Sequence, residues 1–184
     1  MKYIFDFDDV LFNNTAQFKV HMFSILAEAG VPEKSARAHY LEVREKEFSL
    51  RNFIQTLFTK YNLRYSVDVV YQQIMEQTPN FLNTELVELI KKIGKENCYL
   101  VTNGDQEFNN DKVKYSGTSD LFKKIYIVPG TKKEVIRKIC EENKTEEILF
   151  LEDKQKFIDD LEIEKHPNLR TILYTGQNLE PYFQ

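Results

Sequence analysis

The sequence predicts an α/β protein: five short parallel strands flanked by helices, with a block of helices inserted after the first strand. Three observations carry that reading. Short runs at Lys2–Phe5, Cys98–Val101, Ile125–Val128, Ile148–Leu151 and Thr171–Tyr174 are apolar on both faces, as strands of a covered parallel sheet are. Helical patterns separate the last four of them. Between the first and the second, from Thr15 to Pro79, the period is helical throughout.

Each element has its own signal. Lys2–Phe5 is a β-rich run that meets Asp6, a buried strand running into a loop. Phe18, Met22, Ile25, Leu26 and Ala29 stripe a first helix, with Thr15 as its expected N-cap and Gly30-Val31-Pro32 as its stop. A second helix is expected over Glu33–Glu47. Phe53, Ile54, Leu57, Phe58 and Tyr61 stripe a third behind Ser49, and Val67, Val70, Tyr71, Ile74 and Met75 a fourth behind Ser66. After Asn83-Thr84 the chain alternates. A helix with Leu86, Leu89, Ile90 and Ile93 stops at Gly94 before the second strand. Helices around Phe108 and Val113, around Val135, Ile136 and Ile139, and around Phe157 and Leu161 precede the third, fourth and fifth strands. Residues 177–184 are expected to be loose. Residues 1–14 and 81–184 form the expected α/β core domain and 15–80 a helical insertion domain.

Composition narrows the function. The chain has 184 residues, 25 Lys+Arg against 29 Asp+Glu, and a net charge of -4. With 42% hydrophobic residues it is a folding chain, able to bury about 70% of its unfolded surface. The acidic excess and the lack of a Lys/Arg block argue against nucleic-acid binding. No apolar run approaches the roughly 18 residues that span a bilayer. The start turns acidic at Asp6 after three apolar residues, unlike a secretory signal, and Cys98 and Cys140 have no zinc or redox spacing. A cytoplasmic protein, monomeric by default, is expected.

In an open parallel sheet, ligands bind beyond the carboxyl ends of the strands. There the sequence places Asp6-Phe7-Asp8-Asp9, Thr102-Asn103-Gly104-Asp105, Pro129-Gly130-Thr131-Lys132-Lys133 and Glu152-Asp153-Lys154. Two like charges 4 Å apart cost about 4 kcal/mol at an effective dielectric of 20, so several acids on one rim call for a cation. Oxygen ligands without histidine or thiol suit a hard ion, magnesium rather than zinc. Lys132 adds positive charge, and Thr102 with the amides around Asn103-Gly104 offers donors to phosphate oxygens. Positioning plus charge neutralisation is most of what phosphoryl transfer asks of a protein.

Taken singly, each piece is also an ordinary turn, helix start or capping acid. Together, and in this order, Ile4-Phe5-Asp6-Phe7-Asp8-Asp9-Val10-Leu11, Val101-Thr102-Asn103-Gly104, the lysine at 132 or 133 and Phe150-Leu151-Glu152-Asp153 resemble the four motifs of the haloacid dehalogenase-like hydrolases, phosphatase type. The resemblance implies a Rossmann-like core and identifies the helical insertion with that family's C1-type cap. It implies Asp6 as nucleophile forming an aspartyl-phosphate, and Asp8 as acid and then base. Thr102, Asn103 and Lys132 would bind the phosphoryl group. Asp6, Asp153 and the backbone carbonyl of Asp8 would hold Mg2+. The expected activity is hydrolysis of a small phosphorylated metabolite.

Departures from the family pattern are visible. Its fourth motif carries a further acid four or five residues after the first, where this chain has Phe157 and Ile158, with Asp159 one place late. Lys132 is preferred over Lys133 as the motif lysine because it lies four residues before Ile136 on the inward face of its helix. Asp9 stands where glycine is common. Three rival readings share the residues: a phosphotransferase or mutase using the same nucleophile, a signalling receiver, and a non-catalytic scaffold binding a phospho-ligand or protein. The long insertion argues against a receiver, and the Asp6/Asp8 pair against a scaffold. Arg44, Lys46 and Arg51 are candidate contacts from the insertion.

Overall fold

A computed structural model describes residues 1–44 and 48–183. Strands β1 (Lys2–Phe5), β2 (Cys98–Asn103), β3 (Lys124–Val128), β4 (Ile148–Glu152) and β5 (Leu169–Leu173) form one parallel sheet in the order β3-β2-β1-β4-β5. Side-chain alternation divides its two faces. Tyr3, Phe5, Leu100, Leu149 and Leu151 join one apolar cluster, whereas Ile4, Tyr99, Val101, Ile148 and Phe150 join another. Full burial of each large apolar side chain contributes about 2 kcal/mol, and β1, β2 and β4 are buried along almost their whole length.

Helices α1 (Thr15–Glu28), α2 (Glu33–Val43), α3 (Leu50–Tyr61) and α4 (Val67–Met75) lie between β1 and β2 in the chain, followed by α5 (Thr84–Ile93). Their apolar stripes pack together: α1 lies on α2 and α4, and α3 on α4. Phe18, Met22, Leu57 and Ile74 belong to the cluster that also covers the Tyr3/Phe5 face of the sheet. That cluster takes in Leu86 and Ile90 of α5 and Val113 of α6 (Gln106–Tyr115). The opposite face is covered by Ile136, Ile139 and Cys140 of α7 (Lys133–Glu142). Side-chain caps hold several helix starts. Ser49 accepts from the Asn52 amide at 3.4 Å, Asn83 from Leu86 at 3.1 Å and Asp105 from Phe108 at 2.8 Å.

Several local expectations need correction. Thr15 is the first helical residue and not the cap; its hydroxyl donates to the Asp9 carboxylate, and Asn14 at the cap position makes no side-chain bond. The second helix ends at Val43, and positions 45–47, with them Lys46, lie outside the described residues. The helix around Phe157 is only α8 (Gln155–Asp159), and β5 begins two residues earlier than expected. The tail to residue 183 is not loose, because Leu179 is 7% exposed and the Phe183 ring stacks on Tyr3 at 5.0 Å. No helix among the described residues is long and apolar enough to cross a membrane.

Strand β1 lies between β2 and β4, so the chain's connections diverge on either side of it. The crevice this leaves is at the carboxyl end of β1, where Asp6 stands.

Candidate active site

Phe5 pairs in register with Leu100 of β2 and Leu151 of β4, so Asp6 emerges one step beyond, its amide still bonded to the Leu151 carbonyl at 3.0 Å. The chain turns sharply after it: Asp9 has φ 61°, a left-handed conformation that aspartate, asparagine and glycine tolerate best. Asp6 is 2% exposed. Its Oδ1 lies 2.7 Å from the Lys132 ammonium and accepts the Phe7 amide at 2.7 Å.

Lys132 precedes α7 and is 1% exposed. Its Nζ also donates to Glu152 Oε2 at 2.6 Å, and the Phe157 ring stands 4.8 Å away. One buried cation therefore serves two buried acids. Lys133, the alternative motif lysine, points elsewhere and pairs with Glu162 at 3.1 Å on the surface.

Glu152 ends β4 with Oε2 on Lys132 and Oε1 accepting the Lys154 amide at 3.0 Å. Burial, and then the Asp6 charge, push its carboxyl above the usual range against the pull of Lys132. Asp153 has an oxygen, Oδ1, that is buried without a hydrogen-bond partner among the described residues. Burial pushes its carboxyl up to about 7, with Lys154 opposing and Asp6 adding to the rise. Ligand oxygens of Asp6, Glu152 and Asp153 lie within 4.8 Å of one another. An orphaned, desolvated carboxylate oxygen in an all-oxygen set fits a hard divalent cation. Both Glu152 oxygens are already engaged, so Asp6 and Asp153 are the acids with capacity to spare.

Asp159, expected as a late fourth-motif acid, is exposed and accepts from Gln155 at 2.7 Å, outside this cluster. The buried acid that accompanies Asp153 is Glu152, one residue before it.

Thr102, 1% exposed, stands near the end of β2 beside Ile127 of β3, on the same rim. Asn103 and Gly104 depart from the expected donor role. The Asn103 amide donates to the carbonyls of Gly130 at 2.6 Å and Val128 at 3.2 Å, and the Gly104 amide to Val128 at 2.9 Å. Both tie down the loop that leads to Lys132. Gly104 has φ 138°, and a Cβ there would meet Asn109 Nδ2 at 2.5 Å, so any side chain at this position is strained and forces Asn109 to move.

Asp8 is the other half of the Asp6/Asp8 pair, and its carboxylate turns to a residue the sequence reading missed. Lys112 of α6 donates to Asp8 Oδ1 at 2.6 Å and Oδ2 at 2.7 Å. Its side chain is 5% exposed, and its Nζ lies 4.8 Å from the Phe108 ring centroid, 5.5 Å from Phe7 and 5.7 Å from Phe12. A local signal existed: Lys112 follows Phe108 by four residues and so shares its inward face. Its partner, 104 residues away, left none.

Asp8, Lys112 and Lys154 line a cavity of about 590 Å3 between α1, α2, α6 and the sheet rim, which Lys19 and Arg44 also line. Arg51 does not reach it. That guanidinium lies 3.9 Å over the Tyr71 ring, pairs with Asp68 and reaches Glu107 of α6 at 2.8 Å, joining the inserted helices to the core.

The sequence profile of the haloacid dehalogenase-like hydrolases matches residues 3–173. No curated protein matches the chain by sequence. Among solved structures, one from Burkholderia xenovorans, assigned to the haloacid dehalogenase-like hydrolases, superposes with a TM-score of 0.73 at 13% identity, over 98% of this chain and 84% of that one. A variant of a haloacid dehalogenase family enzyme from Bacteroides thetaiotaomicron, in complex with magnesium and inorganic phosphate, gives a TM-score of 0.60 at 15% identity, over 100% of this chain and 98% of that one. A Thermotoga maritima protein assigned as a beta-phosphoglucomutase gives 0.56 at 15% identity, over 99% and 90%.

Proposed function

The chain belongs to the haloacid dehalogenase-like hydrolases, and from that premise we propose that it is a Mg2+-dependent phosphatase of a small phosphate monoester, with Asp6 as nucleophile. The observation that carries the reading is the buried Asp6 carboxylate, fixed by an ammonium and an amide at one oxygen and flanked by the orphaned Asp153 oxygen. Residues 15–80 act as the cap over the cavity.

Asp6 Oδ2 has no hydrogen bond among the described residues and is the attacking atom. It forms a bond to phosphorus as the ester P–O bond breaks, and the leaving oxygen takes a proton from Asp8. Asp8 then accepts a proton from water as that water attacks phosphorus, which releases phosphate and restores the Asp6 carboxylate. Lys132 neutralises Asp6 and the arriving phosphoryl oxygens, and Thr102 donates to them. Asp6, Asp153 and the Asp8 carbonyl would hold Mg2+, whose charge lets a carboxylate approach a phosphate dianion. Lys112 holds both Asp8 oxygens, at 2.6 and 2.7 Å, so it is a positioning residue for the step in which Asp8 activates water.

Phosphate release from an aryl phosphate tests the reading: activity is expected with Mg2+, lost with EDTA and restored by excess Mg2+. Turnover indifferent to chelation contradicts the metal assignment. Phosphate appearing on a second alcohol rather than in solution identifies a phosphotransferase instead.

Melting temperature gives an independent check on the metal. Asp153 holds its proton up to about pH 7 in the folded chain, against 3.8 for the free group. Its folded pKa is raised, so in the absence of metal the stability it contributes at low pH is lost as pH climbs from about 4 through 7. A cation must displace that proton. Saturating Mg2+ is expected to raise the melting temperature by about 5 °C at pH 8 and by much less at pH 5.5. Equal shifts at both values contradict the assignment.

Lys112→Met is expected to lower kcat by about 100-fold with little change in KM, because Asp8 loses the group that orients both its oxygens. An unchanged kcat would exclude Lys112 from the reaction.

A further inference from the structure

The cavity above Asp8 has two kinds of wall. One carries the charged residues already described. The other is a connected set of rings that spans the inserted helices and the core. Phe12 meets Phe18 edge-on at 5.3 Å, Phe18 meets Phe108 at 6.3 Å, Phe108 meets Phe48 at 5.7 Å, and Phe48 meets Tyr40 at 5.4 Å. All five line the cavity.

Most of the neutral hydrogen-bonding atoms beside that wall are already committed; the exception is Asn109 Oδ1, buried with almost no accessible surface and without a partner among the described residues. Thr15 donates to Asp9, and the Asn103 amide holds the loop carbonyls of Val128 and Gly130. The Asn109 amide donates to the Asp105 carbonyl at 3.0 Å. Of the acids, Asp8 is paired with Lys112, and Asp105 caps α6. A polyol entering against this wall would surrender its water hydrogen bonds and meet neutral side chains most of whose polar atoms already have partners, which costs affinity. A planar ring would meet faces and edges of other rings, where aromatic contacts add to area burial.

Resting on the phosphatase reading, we propose that the alcohol part of the substrate carries a planar aromatic ring, seated against Phe18, Phe48 and Phe108, and is not a polyhydroxylated sugar. The phosphate end lies toward Asp8, Lys112 and Lys154, and the ring end toward the inserted helices.

The test uses non-hydrolysable ligands, so that recognition is measured apart from turnover. Naphthylmethylphosphonate and the phosphonate analogue of glucose 6-phosphate are titrated into the wild-type protein with saturating Mg2+. The aryl ligand is expected to bind at least about tenfold tighter. Phe48→Ala is expected to remove most of that preference while leaving inorganic phosphate binding unchanged. Phe108→Leu, which keeps bulk without a ring, serves as the second variant should Phe48→Ala fold poorly. Tighter binding of the sugar analogue, no binding of either phosphonate, or an aryl preference untouched by both variants would overturn the proposal. Aryl preference without phosphate release from the matching ester would sink the phosphatase reading and leave the ring site standing.

Discussion

Lys132→Met is expected to destabilise the fold by about 3–5 kcal/mol and to abolish phosphate release. The ammonium is 1% exposed and stands between Asp6 at 2.7 Å and Glu152 at 2.6 Å. Methionine fills the space among Phe150 and Phe157 but leaves two buried carboxylates facing each other with no cation. Breaking a buried pair by removing one partner is costly for that reason. The loss should shrink as pH falls, because Glu152, whose pKa is already raised by burial and by Asp6, then takes up a proton and ends the repulsion. Lys133→Met is the control. It removes a surface pair with Glu162 and should cost less than about 1 kcal/mol. Urea unfolding of the two variants at pH 8 and pH 5 gives the comparison. A loss below about 1 kcal/mol for Lys132→Met would mean that the acids are not held by this lysine.

Asp6→Asn should leave the fold standing and lower kcat at least about 1,000-fold. Asparagine keeps the shape and can still accept the Phe7 amide, and Lys132 retains Glu152 as a partner. The amide oxygen is a far weaker nucleophile than the carboxylate; Glu152 has both oxygens engaged, and Asp153 is assigned to the metal in this reading, so neither takes over the attack. Asp159→Asn, which touches only an exposed bond to Gln155, should change kcat by less than about twofold. Steady-state phosphate release checks both. Residual turnover of a tenth or more in Asp6→Asn would remove it from the nucleophile role.

The fold was readable because its signals are local. Strands apolar on both faces announce a covered parallel sheet, and stripes behind Ser49, Ser66 and Asn83 announce capped helices. Asp6, Thr102, Lys132 and Asp153 were legible as candidates because each stands at or just beyond the carboxyl end of a strand, and those ends share one rim in such a sheet. The choice between Lys132 and Lys133 rested on helical phase: the residue four before the buried Ile136 is the one beside Asp6. Features that depend on distant partners were not readable. Lys112 looks like an ordinary helical lysine until Asp8 is found against it. Asn103 and Gly104 look like phosphate donors until the loop at 128–130 takes their hydrogens. Glu152 looks like a capping acid until Lys132 arrives from a different element. The tail appeared loose because the stacking of Phe183 on Tyr3 crosses nearly the whole chain.

Mass mapping of protein acid-quenched during turnover of an aryl phosphate with Mg2+ bears most directly on the nucleophile. One phosphoryl group, labile to hydroxylamine, should be found on the N-terminal peptide at Asp6 and be missing from Asp6→Asn. A phosphoryl group on another residue, or rapid turnover with none trapped at Asp6, would contradict covalent catalysis by this carboxylate.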